Sequence, residues 1–106
     1  MKNIAVIFGG QSAEHEVSII TAHIPIIQSL EALDEFKVWP VYISKKGEWY
    51  CEEVFKEMSF FKEPDFEDQL LKFKKITLSL NNHFKIIWIG ITQKSVDIDI
   101  VFPEMH

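Results

Sequence analysis

The chain has 106 residues, 47% hydrophobic and 25% charged, which excludes a disordered segment and fits one small globular domain. Eleven basic residues against sixteen acidic ones leave a net charge of -5, which argues against a nucleic-acid partner or an anionic membrane surface. Cys51 is the single cysteine, so no internal disulfide can form, in keeping with a reducing cytoplasm. The opening "MKNIAVIF" is too short for a secretory signal. The longest apolar run, "VSIITAHIPII", is broken by His23 and Pro25 before it reaches membrane-spanning length.

In chain order, "NIAVIF" is a continuous, β-branched run that ends at Gly9-Gly10 and predicts a strand buried on both faces, as in a parallel sheet. Ser12 then suits an N-cap, with Glu14 and Glu16 in or near the first turn of a helix. Val17, Ile20, Ile24 and Ile27 follow at helical spacing, extended by Leu30 and Leu33. Pro25 removes a backbone donor and predicts a kink near residues 21 to 25. "FKVWPVYIS" predicts a second strand, in which Pro40 signals an edge or a bulge. "KKGEWY" predicts a turn and a short strand. "EEVFKEMSFF" and "PDFEDQLLKF" predict short helices, the second with Pro64 in its first turn. "ITLSL" and "FKIIWIG" predict strands around a turn at Asn81-Asn82. "VDIDIVF" predicts one further strand, alternating at first and then fully apolar. Lys72, Lys74 and Lys75 form a short basic cluster that reads as a solvated face. The order favours an α/β domain with a mainly parallel sheet and flanking helices.

In such a sheet, ligands bind beyond the carboxyl ends of the strands, where the turn after the first strand lies. Gly9 and Gly10 let the backbone approach a ligand closely, and a helix start offers free N–H groups. "GGQS" matches neither G-x-G-x-x-G nor the Walker lysine motif, so it makes no specific claim to a dinucleotide or to ATP. Two carboxylates here would repel a phosphate and suit an ammonium group. On a helix starting near Ala13, Glu14, Val17 and Ser18 share one face and together suit a small amino acid. His15 and Glu16 point elsewhere, because successive helical residues are about 100° apart. The trio Glu14-His15-Glu16 therefore cannot converge on one metal, and "HEVSI" lacks the second histidine of H-E-x-x-H. Acidic residues in a first turn are also favoured by the helix dipole without any function, and spacing alone leaves both readings open. His23 and His83 read as structural or solvated. His106, after an apolar strand, stands at the ligand-binding edge.

"IAVIFGGQSAEHEVSI" resembles the opening of bacterial D-alanine–D-alanine ligases, of the ATP-grasp group. "VDIDIVFPEMH" resembles the family's strand that runs into a proline and a histidine, and "FKVWPVYISKKGEWY" its second strand and turn. Residues 51 to 84 match only in general character. The resemblance implies a single Rossmann-like, pre-ATP-grasp domain over residues 1–106, the N-terminal part of a longer ligase and inactive by itself. The family joins two D-alanines for peptidoglycan synthesis. ATP with Mg²⁺ phosphorylates the first carboxylate, and the second amine attacks that acyl phosphate. The matching glutamate, Glu14, would bind the ammonium of the first D-alanine, with Val17 and His106 beside the same subsite and Ser18 on the same face. The ATP and Mg²⁺ sites would lie in the remaining ATP-grasp domains, with no metal ligand in this chain. A homodimer is a further implication, with the second substrate D-alanine, D-lactate or D-serine. Glu104 and Gln11 depart from the family's usual residues. Two other readings stand beside it: a stand-alone α/β small-molecule module, and a Rossmann-like nucleotide-binding protein, whose glycine pattern is missing.

Overall fold

The computed structural model describes residues 1–9, 24–80, 84–90 and 94–103. Strand β1 (Lys2–Gly9) is followed by helix α1 (Ile24–Glu31) and strands β2 (Phe36–Ile43) and β3 (Trp49–Cys51). Short helical pieces come next: a 3-10 helix at Glu53–Lys56, α2 (Met58–Lys62), α3 (Phe66–Gln69) and a second 3-10 helix at Leu70–Lys72. Strands β4 (Ile76–Ser79), β5 (Phe84–Trp88), β6 (Lys94–Ile98) and β7 (Ile100–Pro103) follow.

The strands form a four-stranded sheet, ordered β3-β2-β1-β7, and a three-stranded sheet, ordered β4-β5-β6. β1 pairs in parallel with both β2 and β7, so the expected parallel core is present. Its continuous apolar run has a direct cause. Ile4, Val6 and Phe8 face the helical layer, while Ala5 and Ile7 face the opposite layer. That opposite layer is the antiparallel sheet, through Ile76, Ile86, Trp88 and Ile98. Helices thus cover one face of the parallel sheet, and a second sheet covers the other. The helical layer holds a dense aromatic cluster of Phe8, Tyr42, Phe55, Phe60, Phe61 and Phe66. Each such buried ring contributes about 2–3 kcal/mol by removal from water.

Pro40 stands where β2 has not yet met β3, whose pairing covers only Val41 to Ile43. The edge reading holds there, and the one-for-one register with β1, from Phe36 to Ile43, contains no bulge. The turn in "KKGEWY" forms as expected. Gly47 takes a φ of 82°, and the Ser44 N–H donates to the Glu48 carbonyl at 2.8 Å. The β4–β5 hairpin forms, with Ser79 opposite Lys85, while the Asn81-Asn82 turn and His83 lie outside the described residues. The lysine cluster is exposed, and Lys75 pairs with Glu48.

Two expectations need correction. Pro64 lies in the turn before α3 rather than in its first turn. Glu63 accepts from the Phe66 N–H at 3.1 Å, which puts Pro64 and Asp65 at the centre of a four-residue turn that suits the fixed φ of proline. The single strand predicted for "VDIDIVF" is two. Its alternating part belongs to β6, in the antiparallel sheet, and its fully apolar part is β7, against β1. Asp99 makes the crossing. Its N–H donates to the Asn3 carbonyl at 2.8 Å, and its Oδ2 accepts from the Asn3 N–H at 2.7 Å. Asn3 Nδ2 also donates to the Asp97 carbonyl at 2.9 Å. The change of period marks a change of sheet, because each sheet buries a different share of its faces.

Candidate active site at the carboxyl edge

β2, β1 and β7 run the same way, so their carboxyl ends, Ile43, Gly9 and Pro103, lie along one edge of the sheet. Gly9 has a φ of 91°, a left-handed conformation that only glycine adopts without strain. A Cβ there would stand 2.5 Å from the Ile43 carbonyl oxygen and 2.8 Å from the Tyr42 ring. The backbone at Gly9 therefore lies close against the end of β2. Pro103 pairs with Ile7, two residues before Gly9, on the neighbouring strand. Segments 10–23 and 104–106 thus leave from adjacent strands at the same edge.

The wall beside Gly9 is built by Tyr42. This side chain is fully buried and meets Phe8, Phe61 and Phe66 at ring-centroid distances of 5.5, 5.3 and 6.0 Å. Its hydroxyl donates to Glu67 Oε2 at 2.7 Å, and the Lys45 N–H donates to Glu67 Oε1 at 3.4 Å. Burial, then the hydrogen bond to Glu67 and its charge, push the Tyr42 phenol far above its ordinary value, so it remains a donor at every physiological pH. Local pattern does not link Tyr42 to Glu67, which is 25 residues away, and sequence reasoning passed over both.

Of the residues singled out in the sequence, Gly9 is described, at the end of β1. Gly10, Gln11, Ser12, Glu14, His15, Glu16, Val17, Ser18, His23, Glu104 and His106 lie outside the described residues. α1 is described from Ile24, with Ile24 and Ile27 buried as their helical spacing predicted. Of the expected kink region, residues 21–23 also lie outside. Among the described residues, no three His, Cys, Asp or Glu side chains come together as a metal site. No helix among them is long and apolar enough to cross a membrane.

A second recess, of about 220 Å³, lies at the amino-terminal half of β2, away from this edge. Its own groups already occupy its aromatic walls. Lys37 Nζ sits 4.8 Å from the centre of the Trp39 ring, and Lys94 Nζ 4.6 Å from that of Trp88. Cys51 in its wall is buried, which pushes the thiol up to about 12 and makes it unreactive. The carboxyl edge is therefore the stronger candidate.

A family model described as "D-ala D-ala ligase N-terminus" matches residues 3–106. The chain belongs to the D-alanine–D-alanine ligase N-terminal family. It is 39% identical over 100 residues to the D-alanine–D-alanine ligase of Thermosipho melanesiensis, a match covering 92% of this chain and 26% of that protein. Among solved structures it resembles the VanG D-Ala:D-Ser ligase of Enterococcus faecalis, with a TM-score of 0.69 and 29% identity, over 99% of this chain and 29% of that one. It also resembles the D-alanine–D-alanine ligase of Coxiella burnetii, with a TM-score of 0.65 and 28% identity, over 99% of this chain and 28% of that one. The chain thus spans between a quarter and a third of the length of these ligases. The N-terminal ligase family accounts for the mixed layering seen here, a mainly parallel sheet with flanking helices.

Proposed function

We propose that this chain is the amino-acid-binding, N-terminal part of an ATP-dependent, cytoplasmic ligase that joins D-alanine to a second D-amino acid for peptidoglycan precursors. One observation carries the reading. The segments containing Glu14 and His106 depart from adjacent parallel strands, at Gly9 and Pro103, on the edge where α/β sheets bind ligands. In this reading, Glu14 takes the ammonium of the first D-alanine, with Val17, Ser18 and His106 around the same subsite and Gly9 and Gly10 shaping the turn. A carboxylate suits that end of the substrate, because it would repel a phosphoryl group placed beside it. Holding the ammonium orients the substrate carboxylate for activation and attack.

The described residues do not fit ATP with Mg²⁺: they bring together no acidic cluster for the metal, and the Gly9 turn belongs to no phosphate-binding pattern. We assign both to the ATP-grasp regions of the ligase beyond this match. The names of the matched structures include both a D-Ala:D-Ser and a D-alanine–D-alanine ligase, so the second amino acid stays open between these classes.

The test is Glu14→Gln in the full-length ligase. Loss of one charge-assisted hydrogen bond predicts a KM for the first D-alanine raised roughly ten- to a hundredfold. Unchanged steady-state kinetics would return Glu14 to the role of a helix-start residue.

A further inference from the structure

We propose that Tyr42 and Glu67 form a positioning pair for the amino-acid site, fixing the direction in which the chain leaves β1 toward Glu14. The inference rests on the reading of Glu14 given above. It starts from register: Phe8 pairs with Tyr42 and Gly9 with Ile43, so the Tyr42 ring stands level with the last turn of β1. Gly9 has no side chain at the point where that ring would meet one, and the nearest ring atom would be 2.8 Å from a Cβ. The exit of β1 therefore leans directly on the ring, and any tilt of the ring moves the exit.

Aromatic packing holds such a ring by shape, without a directed bond at its para position. Among the described residues its ring neighbours Phe8, Phe55, Phe61 and Phe66 are phenylalanines, so packing against them does not call for a hydroxyl. Tyr42 nevertheless carries one, and its 2.7 Å bond to Glu67 Oε2 supplies the direction that packing lacks. Glu67 is itself set against β2 by the Lys45 N–H, just past the end of that strand. A line of contact runs from α3 through the end of β2 to Gly9. This gives the segment between β3 and β4 a specific task.

The experiment uses the full-length ligase. Tyr42→Phe keeps the ring and removes its anchor. It should raise KM for the first D-alanine about three- to tenfold while kcat stays within about twofold. Glu67→Ala should do the same, and Glu67→Gln, which keeps an acceptor oxygen for the hydroxyl but not the second one for the Lys45 N–H, should raise KM less than Glu67→Ala does. The double variant Tyr42→Phe/Glu67→Ala should be no worse than Glu67→Ala alone, because Tyr42→Phe removes only the hydrogen bond that Glu67→Ala also removes. A merely structural pair would lower the melting temperature and leave KM alone, and that result overturns the inference. If Tyr42→Phe does not fold, the contrast between Glu67→Ala and Glu67→Gln decides. Glu14→Gln in the same assay separates the two failures. If it raises KM while the Tyr42 and Glu67 variants do not, the positioning pair falls alone. If it is silent, the site reading falls and takes the pair with it.

Discussion

Gly9 combines two demands that no other residue type meets. Its φ of 91° is strained for any side chain, and a Cβ would overlap the Ile43 carbonyl oxygen. Gly9→Ala should therefore destabilise the fold by about 2 kcal/mol or more, lowering the melting temperature by roughly 8 °C or more. Thermal denaturation followed by circular dichroism checks this, and an unchanged melting temperature would show that β1 leaves the sheet by another path. The glycine itself was legible in the sequence, because a Gly-Gly pair after an apolar run signals a turn. What lies against it was not. Tyr42 reads as one more apolar position of a strand, and only the parallel pairing of β1 with β2 sets it beside Gly9. Buried donors show the same limit. Trp88 Nε1 finds the Cys51 carbonyl at 3.0 Å, while Trp39 Nε1 has no hydrogen-bond partner among the described residues, and nothing in the residue type separates the two indoles.

Between elements, side chains join pieces that the chain keeps apart. Glu31, at the end of α1, accepts the Val38 N–H of β2 through Oε2 at 2.9 Å and the Lys56 ammonium through Oε1 at 2.7 Å. Burial alone would raise the Glu31 carboxyl, but Lys56, the Val38 N–H and the more distant Lys37 outweigh it and hold the group below its ordinary value. The folded-state value is therefore lower than the unfolded one. The stabilisation is present above the unfolded value and is lost as pH falls through the folded one. Glu31→Gln should remove that part of the acid sensitivity, so the urea midpoint of the variant should fall less steeply than that of the unaltered chain between about pH 6 and about pH 3. Equal slopes would mean that the junction adds nothing to acid stability. The period of "VDIDIVF" was likewise legible, and its division was not. Alternation and apolar run follow without a break in sequence, while the hydrogen bonds between Asp99 and Asn3 decide where one sheet yields to the other.

For the whole molecule, β7 leaves Ile100, Val101 and Phe102 each more than a third exposed, with β1 its one strand partner among the described residues. The matched ligases are three to four times as long as the part that corresponds to this chain. With the nucleotide site assigned beyond the match, the purified 106-residue chain should release no phosphate from ATP in response to D-alanine. A coupled phosphate-release assay checks this, and D-alanine-dependent release would overturn the division of labour proposed here. By itself the sequence determined the buried first strand, the glycine turn, the helical spacing of Ile24 and Ile27, and the motif that carries Glu14. All of these are local patterns, set by neighbours within a few residues. Only the tertiary structure decided that β1 and β7 are adjacent, that a second sheet covers the far face, and that Glu67 meets Tyr42. Those arrangements depend on contacts between distant residues, which burial of apolar faces selects and which no short stretch of sequence encodes.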